Sequence, residues 1–574
     1  MHKKKFSFLI AFMTMLGCLS FLHANERSIK DCMISDLETI RNTFDFHYAP
    51  REWKKRHSEW SLEKKLQVAK DKILQKGKIT RRDYHWIVRD FFRSIGDYHV
   101  SVEFYATEAA TLPFRVKGAE GKYFITEIDR SQLSPKVFPW NIGDELLMFD
   151  GHPTQETIDA LITNEIGIGN QATDTALAEI VLTYREASQG HQVPKGPLLI
   201  TIKSVKTGKI SSYQLIWDYT PEKILDGFSS TFPLHSASIT TTKLPSLNFS
   251  TISAEHKLLS PLYSHLAHTS HPETGHDPGA RESFLPALGE IKWESDETNT
   301  FHAYLCETPD GASVGYIRIN EYVGHEFEVE EFGEIIAILE ENSDALVIDQ
   351  INNPGGSVFY MYALASMLTE QPLFTPRHRS SISPQEISTA VKLISAIESA
   401  NTEEDAQALL GETFSGTPVT LQMIKFLLNY FRFLLSEWDA GRTLTSPFYL
   451  YGIDCINPHP TIRYTKPLII LVNHLSFSGG DFLPAIFQDN KRATILGTKT
   501  AGAGGHMTST SFPNRFGIKS FSYTRSIAER LDKTPIEGSG VTPNILYSLT
   551  QDDLQNNYRG YVHAIQKAVN DLLE

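Results

Sequence analysis

Cysteine is scarce in this chain: four in 574 residues, at Cys18, Cys32, Cys306 and Cys455. They are scattered without metal-type spacing, and loss of the N-terminal segment described below leaves three, enough for at most one disulfide. A fold of this size is therefore held by its core rather than by cross-links. Basic charge is also short. Lys plus Arg number 54 against 68 Asp plus Glu, for a net charge of -14, and no long basic run occurs beyond the extreme N-terminus. That balance argues against a nucleic-acid partner. No stretch after the first two dozen residues is long and apolar enough to span a bilayer, so no membrane span is expected. Internal repeats are absent as well.

What is present starts with a leader pattern. His2 and Lys3 to Lys5 are basic, Phe6 to Leu22 is apolar, and Leu22-His23-Ala24 reads as a cleavage site, so residues 1–24 are expected to be a signal peptide and the exported chain to begin near Asn25. Lipidation at Cys18, after Met15-Leu16-Gly17, is the rival reading. The remaining length leaves room for roughly three or four domains on a ~150-residue prior.

Residues 25–110 read as a helical region, with apolar spacing of three and four over Leu62 to Gln75 and Arg82 to Ser94. Gly96 ends it. Val100, Val102 and Phe104 then alternate as in a strand, with His99 at its start on the opposite face. Residues 111–228 change to short strands and turns. Within them GDELLMFDG, preceded by a strand and followed by a helix from about Thr154, resembles the PDZ domains of bacterial proteases; the pattern serves peptide capture by strand addition or plain packing equally well. Residues 229–290 are rich in Ser, Thr, His and Pro and lack periodicity, which marks a long flexible or functional segment. Its His265, His268, His271 and His276 have no cysteine or acidic frame around them, and no metal or cofactor is expected.

From residue 291 to 574 the pattern is α/β: strand Ser313 to Ile319, helix Val329 to Glu341, strand Ala345 to Gln350, then Asn352-Asn353-Pro354-Gly355-Gly356 leading into a helix. A mostly helical insertion occupies about 384–440. The apolar run Pro467 to Val472 is a buried strand, and Asn473 to Ser478 is a polar turn before a helix. A hydroxyl at Ser478 thus stands at the end of a sheet, beside helix amides carrying partial positive charge, where Gly479 and Gly480 let a carbonyl approach. The same letters, Ser478 with Asp481 three residues on, also spell a capping box that merely starts a helix. The segments TAGAGG (500–505) and IEGSGVTP (536–543) follow.

Strand then NPGG, strand then elbow serine, and a late glutamate in IEGSGVTP occur here in the order that resembles the C-terminal processing peptidases and the tricorn core protease, with the nearest likeness to a chlamydial serine protease of that group. The match runs along nearly the whole mature chain, through NTFDFHYAPREWK, DYHVSV, SFLP, DALVIDQINNPGGSVFY, FSGGDFLPAI and FPNRFGIK. The resemblance implies a multidomain α+β and α/β protein with a crotonase-like catalytic core. It implies Ser478 as nucleophile, His99 as general base, Glu537 as the carboxylate that orients it, and backbone N–H groups of Gly479 with Gly355 or Gly356 as the oxyanion hole. It further implies polypeptide substrates, a precursor activated by self-cleavage within 229–290, secretion toward a host with the periplasm as alternative, and a homodimer. Bottom-up logic agrees on the first pair, since a serine hydroxyl is a weak nucleophile until an imidazole takes its proton. Many members instead use a lysine after the serine; Ala503 stands where it would fall. His474 rivals His99 by proximity, but four residues before Ser478 in the same turn it aligns poorly. His325-Glu326 lacks the second histidine of a zinc helix. A catalytically silent scaffold carrying a PDZ module is the alternative.

Overall fold

The computed structural model describes residues 29–57, 60–224, 277–414 and 417–574. The expected leader with Cys18, and the four histidines from His265 to His276, lie outside the described residues.

A seven-stranded sheet organises the C-terminal half, in the order Glu290–Glu294, Ala303–Glu307, Ser313–Arg318, Ala345–Asp349, Leu468–Val472, Thr494–Gly497, Ile545–Leu546. The first three strands are antiparallel; from Ser313–Arg318 onward every pairing is parallel. All five residues of Ala345–Asp349 and of Leu468–Val472 are buried. The reason is that both faces are covered, which is why these strands read as unbroken apolar runs rather than alternating ones. Ile348, Leu468 and Ile470 face a core built with helices Glu326–Asn342, Val358–Ser366 and Gly479–Asp489. Val347, Ile469 and Leu471 face the C-terminal helix Arg559–Leu573.

The N-terminal region is helical, as its periodicity predicts: 29–47, Arg51–His57, Leu62–Gln75 and Arg81–Arg93. Thr80 and Asp83 close a reciprocal cap on the last of these, which fixes its start one residue before the expected Arg82. These helices do not form a separate body. Their core merges with Phe516, Ile518, Phe521 and Tyr523, because Val102–Phe104 pairs antiparallel with Ile518–Thr524. Residues near position 100 are thereby delivered to the C-terminal half.

Between them, the strands Phe114–Ala119, Lys122–Ile128, Glu145–Phe149, Pro197–Lys203 and Ile210–Ile216 form one sheet, packed against helices Thr154–Asn164 and Gln171–Thr183 around a core of its own. The insertion is helical at Pro384–Ile397, Glu403–Leu410 and Leu421–Asp439. Cys32, Cys306 and Cys455 are free thiols.

One expectation needs correction. The unpatterned segment is expected to run to Glu290, but residues 277–290 are packed onto the C-terminal half. Gly279 N–H donates to Asn352 O at 3.0 Å, Asn320 Nδ2 donates to Gly279 O at 2.9 Å, Arg318 donates to Ala280 O, and Leu288 is buried. These are mostly backbone contacts, to which hydrophobic periodicity is blind.

Candidate active site

Parallel neighbours end side by side, so the turns after Ala345–Asp349 and Leu468–Val472 meet at one edge of the sheet, where open α/β sheets place their ligands. Polar bonds lock the two turns together. Asn352 N–H donates to Asn473 Oδ1 (2.9 Å), Asn473 Nδ2 to Asn352 Oδ1 (2.7 Å), and Phe477 N–H to Asn353 O (2.9 Å). Ser478 follows, half-exposed, with φ 53° and ψ −114°. That is a backbone region a side-chain-bearing residue adopts only when its surroundings impose it.

The capping-box reading fails on geometry. The Ser478 side chain makes no cap bond; its carbonyl alone starts the helix, accepting from Asp481 N–H and Phe482 N–H at 2.7 and 2.8 Å. Asp481, fully buried, turns away to the TAGAGG segment and accepts from Thr500 Oγ1, Gly502 N–H (2.9 Å) and Ala503 N–H (3.0 Å). Burial pushes its pKa up to about 6 against those bonds. Asp481→Ala is therefore expected to destabilise the fold by about 2 to 4 kcal/mol, since it orphans two buried amides and a hydroxyl; chemical denaturation measures it.

Ser478, His99, Gly355, Gly356 and Gly479 line one cavity of about 270 Å³. His99 arrives there by the small sheet: Ser522 Oγ donates to His99 O at 2.6 Å, and Ser522 N–H to Ser101 O at 2.9 Å. His99 N–H donates to Asp97 Oδ1 (2.9 Å), while Asp97 Oδ2 accepts from Tyr48 Oη and Thr524 Oγ1. The imidazole itself is buried, and neither Nδ1 nor Nε2 has a hydrogen-bond partner. Burial lowers its pKa from the ordinary 6.5, with Asp97 opposing.

Glu537 is not on the cavity wall. It lies buried behind, where Oε2 accepts from Gly504 N–H (3.1 Å) and Oε1 is 3.7 Å from Lys54 Nζ. Burial and the Asp97 charge raise its pKa, and Lys54 opposes them. So the structure brings the serine and histidine to one cavity but leaves the glutamate short of the ring.

The glycines separate too. Gly355 N–H is taken by Asn353 Oδ1 at 2.7 Å, so it offers no donor to an oxyanion. Gly355 has another role: at φ +95°, a Cβ there would meet Ser478 Cβ at 2.6 Å. Gly356 and Gly479 keep their amides out of the backbone ladder, Gly356 bridging Tyr322 through its neighbours' bonds, Tyr322 N–H to Gly355 O and Ser357 N–H to Tyr322 O.

Of the rivals, His474 Nδ1 bonds Lys499 O at 3.0 Å and lines a different cavity, with Lys117 and Glu179. His325 sits at the start of Glu326–Asn342. Lys54, Asp97 and Asn353 are the residues a reading by motif passes over. All three lie inside the motif segments, but only the folded chain reveals Lys54 beside Glu537, Asp97 under the His99 amide and Asn353 on the Gly355 amide.

A family description of peptidase family S41 matches residues 313–547, and one of the PDZ domain matches 108–224. The chain belongs to peptidase family S41 and is a serine peptidase with a PDZ domain and a multidomain α+β fold. It is 36% identical to a protein of Chlamydia pneumoniae over 94% of this chain and 90% of that one, and 35% identical to an uncharacterized protein of Chlamydia muridarum over 93% and 91%. Among solved structures it is similar to mature CPAF complexed with lactacystin, at 31% identity and TM-score 0.81, covering 95% of this chain and 99% of that chain.

Proposed function

We propose that this chain is an exported serine endopeptidase whose reacting groups are Ser478, His99 and Glu537, made as a precursor that completes its site after cutting itself. The observation that carries the reading is Ser478: a serine held in a strained backbone at a helix start, its hydroxyl uncommitted, facing a cavity that it shares with a buried histidine.

In the reaction, His99 takes the Ser478 hydroxyl proton as Oγ attacks the peptide carbonyl carbon, and the oxygen that becomes negative is met by the N–H groups of Gly479 and Gly356. His99 then gives that proton to the leaving amine, and water repeats the sequence on the acyl-enzyme. Each amide donor contributes about 10² to 10³ in rate. Glu537 holds the imidazole in the tautomer that leaves Nε2 free to accept.

Two bare ring nitrogens on His99 support the precursor reading, because a base bonded to neither its nucleophile nor its carboxylate does not yet work. A second support is where the segment ends. Gly279 lies against Pro354 of the cavity wall, and Ile224, at the other end, accepts from Arg81. A tethered chain leaving from that rim competes with substrate at an effective concentration of roughly millimolar. The similar solved structure is that of mature CPAF.

The test follows wild type and Ser478→Ala over time. Only the wild type is expected to convert to two associated fragments, with cuts between residues 229 and 276 and a lag in peptidase activity that tracks conversion. Full activity of an uncut chain would sink the precursor reading. N-terminal sequencing of the native protein, expected to start near Asn25, checks export.

A pH profile provides an independent check. The working base is neutral imidazole, so kcat/KM is lost as pH falls through the pKa of His99; because burial depresses that pKa below 6.5, the acid limb should have its midpoint below pH 6.5. A rate that holds level through acid pH would contradict a histidine as base.

A further inference from the structure

The cavity beside Ser478 is apolar over most of its wall, through Val358, Phe359, Met361, Leu450 and Phe482; two buried tyrosines, Tyr362 and Tyr451, also line it, and so does a buried imidazole that has no part in the mechanism. His378 belongs to the strand Arg377–Ser380, which pairs with Ser526–Glu529 in register His378 to Ala528. Its imidazole stacks on the Phe482 ring, centroids 5.6 Å apart and planes at 11°. Phe482 lies one turn along the helix from Ser478, and the stacked pair lines the same cavity.

The hydrogen-bond network assigns the tautomer. His378 Nδ1 is 2.9 Å from Ser526 Oγ, and that oxygen already accepts His506 N–H at 2.8 Å. Among the described residues, the one acceptor within reach of the Ser526 proton is His378 Nδ1. Nδ1 is therefore the acceptor and the ring proton resides on Nε2. With one edge tied to Ser526 and a face covered by Phe482, the edge left to line the cavity carries Nε2–H. Burial keeps the ring neutral, with a pKa of about 4.

We infer that His378 is a specificity-determining residue: the cavity takes the side chain of a substrate residue flanking the scissile bond, and His378 Nε2–H donates to an uncharged acceptor at its tip, the amide oxygen of glutamine being the best-fitting group. This rests on Ser478 being the nucleophile of the same cavity. Apolar walls supply most of the binding but discriminate weakly among side chains of similar volume, whereas a buried donor without a partner penalises a side chain that leaves it bare. A carboxylate of the same shape would have to shed its water into the apolar wall, which costs more than one neutral donor returns. Glu321, the acidic member of the lining, stands beside Gly279, as Pro354 does.

The experiment takes one peptide that the wild type cleaves and substitutes Gln, Leu and Glu in turn on each side of the scissile bond. At one of the two positions the wild type should prefer Gln to Glu by at least about tenfold, and His378→Phe, which keeps the stacking, should lower the Gln-to-Leu ratio of kcat/KM by about tenfold. His378→Gln, which retains a donor, should restore part of the ratio; melting curves establish that both variants fold. An unchanged ratio in folded His378→Phe, or Glu accepted as well as Gln, overturns the inference. Labelling of Ser478 by a fluorophosphonate in the wild type and both variants keeps the two readings apart: intact labelling with an unchanged ratio sinks the pocket alone, whereas no labelling of active wild type sinks the nucleophile and the pocket with it.

Discussion

Ser478→Ala is expected to lower kcat for peptide hydrolysis by roughly 10⁴ to 10⁶, with thermal stability within about 1 kcal/mol of wild type. Alanine keeps the Cβ and the strained φ of 53°, and the lost oxygen makes no cap bond, so nothing structural is removed. Ser478→Gly sharpens the test. Glycine adopts this backbone without cost, so the inactive variant should be more stable than wild type by about 1 kcal/mol. A residue that worked as a helix cap would show the reverse, a loss of stability on either substitution. Denaturation with a burst-phase peptidase assay separates the two.

The second large effect is expected at Gly355. Its φ of +95° is strained for any other residue, and a Cβ would stand 2.6 Å from Ser478 Cβ and 2.8 Å from Gly479 N. Neither neighbour is the loose end of a long side chain. Gly355→Ala is expected to cost about 2 to 4 kcal/mol of stability and to push Ser478 off its position, with at least about a 100-fold loss of kcat, since a displacement near 1 Å suffices for that. Gly504 offers a control away from the hydroxyl: its Cβ would meet Glu537 N at 2.1 Å, so Gly504→Ala is expected to disturb the glutamate and spare labelling of Ser478. Should Gly355→Ala retain wild-type turnover, the turn is not the rigid seat described here.

Much of this was legible in the residues, and the boundary of legibility is physical. Buried parallel strands such as Leu468–Val472 announce themselves because both faces need apolar side chains. Helices such as Leu62–Gln75 do so because one face does. Ser478, His99, Gly355, Gly356, Gly479 and Glu537 were reached by motif order, and five of the six meet in one cavity. What stayed hidden depends on three-dimensional neighbours. The serine–aspartate spacing at 478 and 481 is ambiguous until Asp481 is seen binding Gly502 and Ala503. Gly355 looked like a donor until Asn353, two residues before it, was seen to use up its amide. The placement of Glu537 behind the cavity, against Lys54 and Gly504, has no signature in spacing at all. Residues 277–290 carry too few periodic apolar positions to betray that they are core.

The strand Ile518–Thr524 holds Val102–Phe104 and, through Ser522, the carbonyl of His99, 423 positions earlier in the chain. A ribosome makes the N-terminal side of that pairing long before the other. Until the last tenth of the polypeptide has emerged, His99 has no seat beside Ser478. A chain still being made therefore lacks the finished cavity by order of synthesis alone, and the cell that makes this peptidase is shielded from it over that interval.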